Sequence, residues 1–119
     1  MAGYYGFPLE FSVVRGDDFS FSLTWETTAG GAVDISAWVF AYEANEDAVG
    51  GTGNIVVADA AMTKSDSGTG TTDTVTIPLS STDTVVTEGR YKHDLTATVG
   101  SDKTTVARGT LTILPSEQD

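Results

Sequence analysis

The sequence contains no cysteine. This absence excludes disulfides, thiolate metal sites and cysteine nucleophiles together. A chain of 119 residues buries roughly two-thirds of the surface that its unfolded form exposes. We therefore expect a single domain that is stabilised by an ordinary hydrophobic core and by no covalent cross-link.

Positive charge is also scarce. Six Lys or Arg residues stand against seventeen Asp or Glu residues, so the formal net charge is −11. Lys and Arg supply the phosphate contacts of nucleic-acid binding, and a strongly negative field repels both DNA and anionic membranes. We therefore expect no nucleic-acid partner and no membrane partner.

Long apolar runs are missing as well. The N-terminal segment MAGYYGFPLEF has neither a basic stretch nor a long hydrophobic stretch. This composition predicts neither a signal peptide nor a membrane anchor at this end of the chain.

What the sequence does contain is alternation with a period of two. From Phe19 to Trp25 the odd positions are large and apolar, and the even positions carry hydroxyl groups. Because successive side chains of a strand point to opposite faces, this segment predicts a strand with one buried face. Trp38 begins a similar alternation, and the two tryptophans are large enough to bridge two sheets. The predicted strands span residues 9–15, 19–26, 37–44, 54–62, 73–79, 91–99 and 104–114.

Turn signals rich in Gly, Asp and Ser separate these segments. About seven short strands without a crossover helix favour an antiparallel β-sandwich or a small barrel. One helical turn is predicted within 80–86, where Ser80 is a plausible N-cap and Asp83 completes a weak capping box. We expect an N-terminal arm at 1–8, a β-sandwich domain at 9–115 and a C-terminal tail at 116–119.

Few residues suggest chemistry. His93 is the only histidine, and alternation places it on the inward side of its strand, which favours a packed core residue over a catalyst. Paired carboxylates carry little information in so acidic a chain, although a loop calcium site at Asp47 or Asp66 stays open as a minor alternative. No nucleophile elbow or phosphate-binding loop is present. We predict no catalytic residue, no cofactor, no metal site and no enzymatic activity.

Two segments suggest binding. The tripeptide Arg15-Gly16-Asp17 spells a motif that cell-surface receptors recognise in exposed loops, but a plain turn between two strands is the favoured interpretation. The aromatic residues Tyr4, Tyr5 and Phe7 stand among glycines before the first strand. Such residues are enriched in protein interfaces, so we name them as a candidate interface, with packing against their own domain as the alternative.

Several short motifs follow one another along the chain: Gly16-Asp17-Asp18-Phe19, then Asp34-Ile35-Ser36-Ala37-Trp38, then Gly89-Arg90-Tyr91-Lys92-His93-Asp94-Leu95, and a closing strand that ends near Pro115. Their order resembles small β-sandwich proteins encoded among the structural genes of tailed phages, similar to the N-terminal domain of the baseplate upper protein. Ala37 stands where that family often has Gly, and His93 where it often has an aromatic residue.

The resemblance implies an immunoglobulin-like antiparallel β-sandwich of about seven strands with one short helical turn. It also implies a structural virion protein on the particle exterior, at the baseplate, neck, fibre attachment point or capsid surface. The expected partners are other virion proteins and copies of the chain itself, present many times in a symmetric assembly. The alternative is a carbohydrate- or receptor-binding sandwich, whose sign would be exposed Trp or Tyr in a cluster of loops.

Overall fold

The computed structural model describes residues 7–27, 29–46 and 53–115. A single 3₁₀ turn, Asp59–Ala61, is the only helical element in these ranges. The strands are β1 (Phe7–Val14), β2 (Phe19–Thr24), β3 (Val39–Glu46), β4 (Gly53–Ala58), β5 (Thr63–Asp66), β6 (Thr72–Leu79), β7 (Gly89–Val99) and β8 (Asp102–Leu114).

The strands form two sheets packed against each other. The five-stranded sheet has the order β1-β8-β7-β3-β4, and the three-stranded sheet has the order β2-β6-β5. Six strands follow the two sheets of an immunoglobulin domain: β8, β7 and β3 take the places of strands G, F and C, and β2, β6 and β5 those of B, E and D. The arrangement differs in two ways, because β4 is an addition and β1 pairs with β8, whereas strand A lies in the sheet with B, E and D. The predicted all-β sandwich is confirmed.

A tyrosine corner supports the immunoglobulin-like description. Tyr91 is the third residue of β7 and is buried, and its hydroxyl donates a hydrogen bond to the backbone oxygen of Thr87, just before the strand. A tyrosine near the start of the sixth strand, bonded to backbone a few residues upstream, is a hallmark of this fold. Two residues further on, where antibody domains carry the second cysteine, this chain has His93.

One strand pairing corrects the expectation of purely antiparallel sheets. β1 pairs with β8 in parallel, with Leu9 opposite Gly109, whereas the other five pairings in the described part of the chain are antiparallel. Two parallel strands need a long connection between them, which is usually a helix. The sequence offered no such helix, and antiparallel pairing was expected for that reason. Here β1 and β8 are the first and last strands, so the rest of the sandwich forms the connection.

Two local predictions also need correction. The predicted strand 54–62 ends at Ala58, and 59–61 form the 3₁₀ turn. Asp59 fixes this turn, because its Oδ1 accepts a hydrogen bond from the Phe40 backbone N–H at 2.9 Å and lies 3.3 Å from Lys64 Nζ. The following strand, β5, was not predicted: it is short and polar and reads as a turn in sequence.

The predicted helical turn at 80–86 is a turn without a helix. The Thr84 N–H bonds to the Ser80 carbonyl at 3.2 Å, which closes a single loop of helical type. The capping box is present, since Ser80 Oγ accepts from the Asp83 N–H at 3.1 Å and Asp83 Oδ2 accepts from the Ser80 N–H at 2.8 Å. One more bond of helical type follows, from the Val85 N–H to the Thr82 carbonyl at 3.2 Å, and the chain then turns back towards β7.

Aromatic rings join the two sheets where antibody domains use a disulfide. Trp25, directly after β2, and Trp38, directly before β3, meet edge to face with ring centroids 5.5 Å apart, as the sequence predicted. A second contact brings Phe21 of β2 to Tyr42 of β3, with centroids 5.7 Å apart. Such pairs contribute about 0.5–1.5 kcal/mol beyond the area they bury. These aromatic contacts therefore help to hold the two sheets together without a disulfide.

Candidate functional site

The predicted aromatic interface lies almost wholly outside the description. Tyr4 and Tyr5 are outside the described residues. Phe7 is the first residue of β1, where its backbone pairs with Ala107, and its side chain lies outside the description. The role of these three residues as an interface stays a prediction. β1 thus begins within the segment predicted as an arm.

His93 is part of a buried hydrogen-bond network. It is only 2 % exposed, its Nε2 lies 2.8 Å from the Leu9 carbonyl oxygen, and its Nδ1 lies 2.8 Å from the Tyr42 hydroxyl. Because a carbonyl can only accept, Nε2 carries the hydrogen and Nδ1 accepts from the tyrosine. Burial lowers the pKa of His93 and raises the pKa of Tyr42. The neutral imidazole ties β7 to β1 and β3, and both of its nitrogens are committed to this role.

Gly109 makes this network possible. It lies on β8 between Leu9 and His93, with which it pairs on either side. A Cβ at this position would lie 1.9 Å from the Leu9 carbonyl oxygen and 2.6 Å from its carbonyl carbon. Only glycine allows the Leu9 carbonyl to pass over β8 and reach the histidine.

The calcium alternative at Asp66 finds no support in the geometry. The Asp66 carboxylate accepts hydrogen bonds from the backbone N–H groups of Gly68, Thr69 and Gly70, at 2.7 to 3.0 Å. The bond from Gly68 is the largest cause of a lowered Asp66 pKa. A cation would have to displace these donors, because the lone pairs that it needs already point at N–H groups. Asp47, the other candidate, lies outside the described residues.

Asp73, the second residue of β6, is a buried carboxylate beside the β5–β6 loop and is 1 % exposed. The Ser67 N–H and hydroxyl donate to its two oxygens at 3.0 and 2.8 Å, and the hydroxyls of Thr69 and Thr74 add bonds at 3.1 Å. These bonds, led by that of the Ser67 side chain, lower the pKa of Asp73 despite its burial. The carboxylate organises the loop.

The Arg15-Gly16-Asp17 segment is a turn, as the favoured interpretation predicted. Gly16 has a φ of +87°, which a residue with a side chain rarely adopts. Arg15 Nε donates to the Val86 carbonyl at 3.0 Å, and the Gly16 N–H donates to Thr84 Oγ1 at 3.0 Å. The arginine therefore holds the β6–β7 connection in place.

The two outer sheet faces differ in charge. Among the side chains that the structure describes, the outer face of the five-stranded sheet carries four of the chain's six cations and three carboxylates. We call this surface the mixed-charge face and define it by Glu10, Glu43, Arg90, Lys92, Asp94, Lys103 and Arg108. The net charge of this face is +1. Because the whole chain has a net charge of −11, the residues outside this face carry a net charge of −12. The two sandwich ends hold many of those acids, including Asp17, Asp18, Glu26, Asp34, Asp83 and Glu88.

The outer face of the three-stranded sheet has hydroxyl groups in place of charges. We call it the hydroxyl face; it is formed by Ser20, Ser22, Thr24, Thr63, Ser65, Thr74 and Thr76. Hydroxyls pair across β2 and β6, with Ser22 2.7 Å from Thr76 and Thr24 2.8 Å from Thr74. Threonine is common in strands whose side chains face water. The face is polar, and none of the seven residues that define it is charged; Asp66, the last residue of β5, borders it opposite Thr72.

A shallow depression of about 360 Å³ opens to solvent at one end of β2 and β6. Its floor is mainly apolar, and its one charged group is Asp18, whose Oδ1 accepts a hydrogen bond from the Ser81 N–H at 2.6 Å. A ligand site needs several convergent polar groups, and this depression does not offer them. Its lining consists of Asp18, Phe19, Ser20, Pro78, Leu79 and Ser80.

Within residues 7–27, 29–46 and 53–115, no group of three or more His, Cys, Asp or Glu side chains is arranged to hold a metal ion. None of the helical structure in those ranges is long and apolar enough to cross a membrane. No protein-family model matches the chain, and no curated protein is significantly similar to it in sequence.

Proposed function

We propose that this chain is a structural protein of a tailed-phage particle, in which the sandwich is a rigid building block and its surfaces bind other proteins. The observation that carries the proposal is that the ionisable side chains most suited to chemistry form hydrogen bonds that hold the fold together. His93 joins three strands, Asp73 organises a loop, and Arg15 holds a connection. What such a domain offers to other molecules is its outer surface.

The order of motifs along the chain supplies the virion context. Two of the motifs that resemble the tailed-phage proteins have clear structural roles here: Gly16 and Asp17 form the turn into β2, and Tyr91 forms the tyrosine corner of β7. These roles belong to a shared fold, and together with the motif order they favour a shared use.

The charge supports a position on the outside of the particle. A domain with a formal charge of −11 is repelled by packaged DNA, whereas contact with other proteins is open to it through its weakly charged sheet faces. The alternative of a carbohydrate-binding module is less favoured, because Trp25 and Trp38 are 1 % and 7 % exposed and cannot stack on a sugar ring.

Quantitative mass spectrometry of purified particles tests the proposal. In the phage whose genome encodes the chain, the protein should copurify with particles at a fixed ratio to the capsid and tail proteins. An abundant non-structural protein of the same phage controls for carry-over from the lysate. Abundance in infected cells together with absence from particles would overturn the proposal.

A further inference from the structure

β2 forms an open edge of the three-stranded sheet. It pairs with β6 on one side, and no strand in the described part of the chain pairs with its other side. In an immunoglobulin domain that side of strand B, whose place β2 takes, is covered by strand A. Here β1, the first strand, pairs with β8 of the other sheet instead. The edge of β2 is therefore a template for pairing with another chain.

The backbone groups that point to this edge follow from the pairing of β2 with β6. The Trp25 N–H donates to the Asp73 carbonyl at 2.9 Å, which makes these two residues a hydrogen-bonded pair at the end of the ladder. Hydrogen-bonded and non-hydrogen-bonded pairs alternate along an antiparallel ladder. The odd residues of β2 therefore bond to β6, and the N–H and C=O groups of Ser20, Ser22 and Thr24 point to the open edge.

The other three sheet edges carry features that hinder pairing, whereas β2 does not. Proteins guard exposed edges with charged side chains, proline and β-bulges. β1 contains Pro8 and Glu10, the register of β4 shifts against Asn45 of β3, and β5 contains Lys64 and a register shift. The strand Phe19–Thr24 has no charged residue, no proline and no register shift against β6. β2 is thus the edge best suited to accept a further strand.

Apolar side chains line the inner side of this edge. The ring centroids of Phe19 and of Phe11 on β1 lie 5.1 Å apart, and both side chains are only partly buried. Leu23, further along β2, is also partly buried. Because side chains alternate between the two faces of a sheet, a strand paired with β2 places every second side chain beside these residues. Apolar side chains at those positions would complete the burial of this region.

Acidic residues stand at both ends of β2. Asp17 and Asp18 precede the strand, Glu26 follows it, and all three are exposed. The shallow depression at the start of the strand has a mainly apolar floor and Asp18 as its one charged group. Lys and Arg match this combination, because their stems are apolar and their tips are cationic. The net charge of −11 also favours a cationic partner over a second copy of the chain.

We infer that β2 accepts an extended segment of another protein, with apolar side chains at alternate positions and Lys or Arg at both ends. The segment adds a fourth strand to the three-stranded sheet. Backbone hydrogen bonds with Ser20, Ser22 and Thr24 hold it, and its terminal cations meet the acids that flank β2. In such strand addition to a sheet edge, backbone bonds supply affinity and alternate side chains supply specificity.

The inference deepens the proposed function and rests on it for the existence of a protein partner, but the two fail separately. A chain that is found in particles and binds no such segment would remove the inference and leave the proposed function. A chain that binds the segment and is absent from particles would remove the proposed function and leave the binding site.

Two synthetic peptides test the charge and the location of the site. Acetyl-KVTVTVTVK-amide has the inferred pattern and reads the same in both directions, so it fits β2 in either orientation. Acetyl-EVTVTVTVE-amide is the matched control. NMR titration, at concentrations where each peptide alone is monomeric, should show backbone amide shifts centred on Ser20, Ser22 and Thr24 with the lysine peptide. The glutamate peptide should bind about tenfold more weakly or worse, because its ends meet acids.

Hydrogen exchange tests whether the edge is open. The amide hydrogens of Ser20, Ser22 and Thr24 should exchange rapidly in the free chain and slowly in the complex with the lysine peptide. Slow exchange in the free chain would show that the edge is already covered, by residues of the same chain or by a second copy. That result would overturn the inference.

A change at Ser22 tests the backbone contact. Ser22→Pro removes an N–H that points to the open edge, where proline is tolerated in a sheet. The variant should therefore fold but lose binding of the lysine peptide. Ser22→Thr keeps the N–H and should bind as the unaltered chain does. Binding that survives in folded Ser22→Pro would overturn the inference.

A change of charge at Glu26 gives a second test that does not depend on the proline variant. Glu26→Lys should weaken binding of the lysine peptide about tenfold and strengthen that of the glutamate peptide. Glu43→Lys, on the outer face of the other sheet, changes the net charge equally and should leave the ratio of the two affinities unaltered. Circular dichroism and the melting temperature show that each variant is folded.

Three results of the titrations would overturn the inference. The first is no binding of the lysine peptide at about 1 mM. The second is equal binding of the two peptides, and the third is a set of amide shifts that lies away from β2.

Discussion

At the scale of single residues, Gly109 has the least tolerance for change. Gly109→Ala would place a Cβ 1.9 Å from the Leu9 carbonyl oxygen, which is backbone and cannot rotate away. β1 must then move off β8, and we expect the free energy of unfolding to fall by about 3 kcal/mol. Urea denaturation measures this loss.

Gly31→Ala is the matched control, because its Cβ would meet only the Thr27 hydroxyl, at 3.3 Å. We expect a change within about 0.5 kcal/mol there. Equal losses in the two variants would show that the approach of Leu9 to Gly109 is unimportant for stability.

His93 makes stability depend on pH. Burial lowers its pKa in the folded state, so the unfolded chain binds the proton more readily. Stability should therefore be highest above the unfolded value of about 6.5 and should fall as the pH drops through it, by at most about 1.4 kcal/mol per pH unit. Denaturation at pH 7.5, 6.5 and 5.5 measures the slope.

His93→Phe is the control for this slope, because His93 is the only histidine. The variant should be less stable at pH 7.5, since the Leu9 carbonyl and the Tyr42 hydroxyl lose their partner. Its stability should, however, hardly vary between pH 7.5 and 5.5. A slope that persists in the variant would place the titrating group elsewhere.

Alternation in the sequence predicts the inward side chain of His93, but not its partners. Leu9 and Tyr42 lie 84 and 51 positions away, and they reach the imidazole only through the register of β1 and β3. Gly109 shows the same limit. A glycine inside a strand suggests a close approach of backbone, yet nothing local names Leu9 as the approaching residue.

At the scale of elements, a change in the capping box shows how much the β6–β7 connection contributes to stability. Ser80→Ala removes the hydroxyl that accepts the Asp83 N–H, and we expect a loss of about 1 kcal/mol. Ser81→Ala is a neighbouring control, because Ser81 bonds to Asp18 through its backbone N–H, which alanine keeps. Thermal unfolding of both variants measures the difference, and equal losses would mean that the capping box contributes nothing.

A strand could be predicted from the sequence where one of its faces is buried and the other is exposed to solvent. β2 alternates clearly, with Phe21 buried and Ser22 exposed, and it was found within two residues of its observed end. β5 could not be recognised, because Thr63–Asp66 contains no large apolar residue. The parallel direction of β1 could not be predicted for a different reason. Parallel and antiparallel strands show the same alternation of side chains, and only the path of the whole chain decides which pairing forms.

At the scale of the whole molecule, composition fixes the net charge but not its distribution. Alternation places Arg90, Lys92 and Asp94 on one side of β7. It cannot show that Arg108 and Glu43 flank Asp94, because this depends on the pairing of β8 and β3 with β7. The mixed-charge face is therefore a property of the fold.

Self-repulsion should also govern how salt affects stability. Folding brings seventeen carboxylates and only six cations close together, so the folded chain repels itself more than the unfolded chain does. Shortening the screening length from about 30 to about 10 Å, with NaCl from 0.01 to 0.1 M, should raise the free energy of unfolding. The experiment is done at a low protein concentration, so that association between copies does not contribute.

A pair of variants separates repulsion from other effects of salt. Asp17→Asn removes one exposed acid beside Asp18 and should stabilise the chain in 0.01 M NaCl, with a smaller gain in 0.1 M. Lys64→Met removes a cation that lies 3.3 Å from Asp59 and should destabilise it, more so at low salt. Stability that falls with added salt in the unaltered chain would mean that attraction between opposite charges outweighs the repulsion. The acidic sandwich ends would then be held by ion pairs.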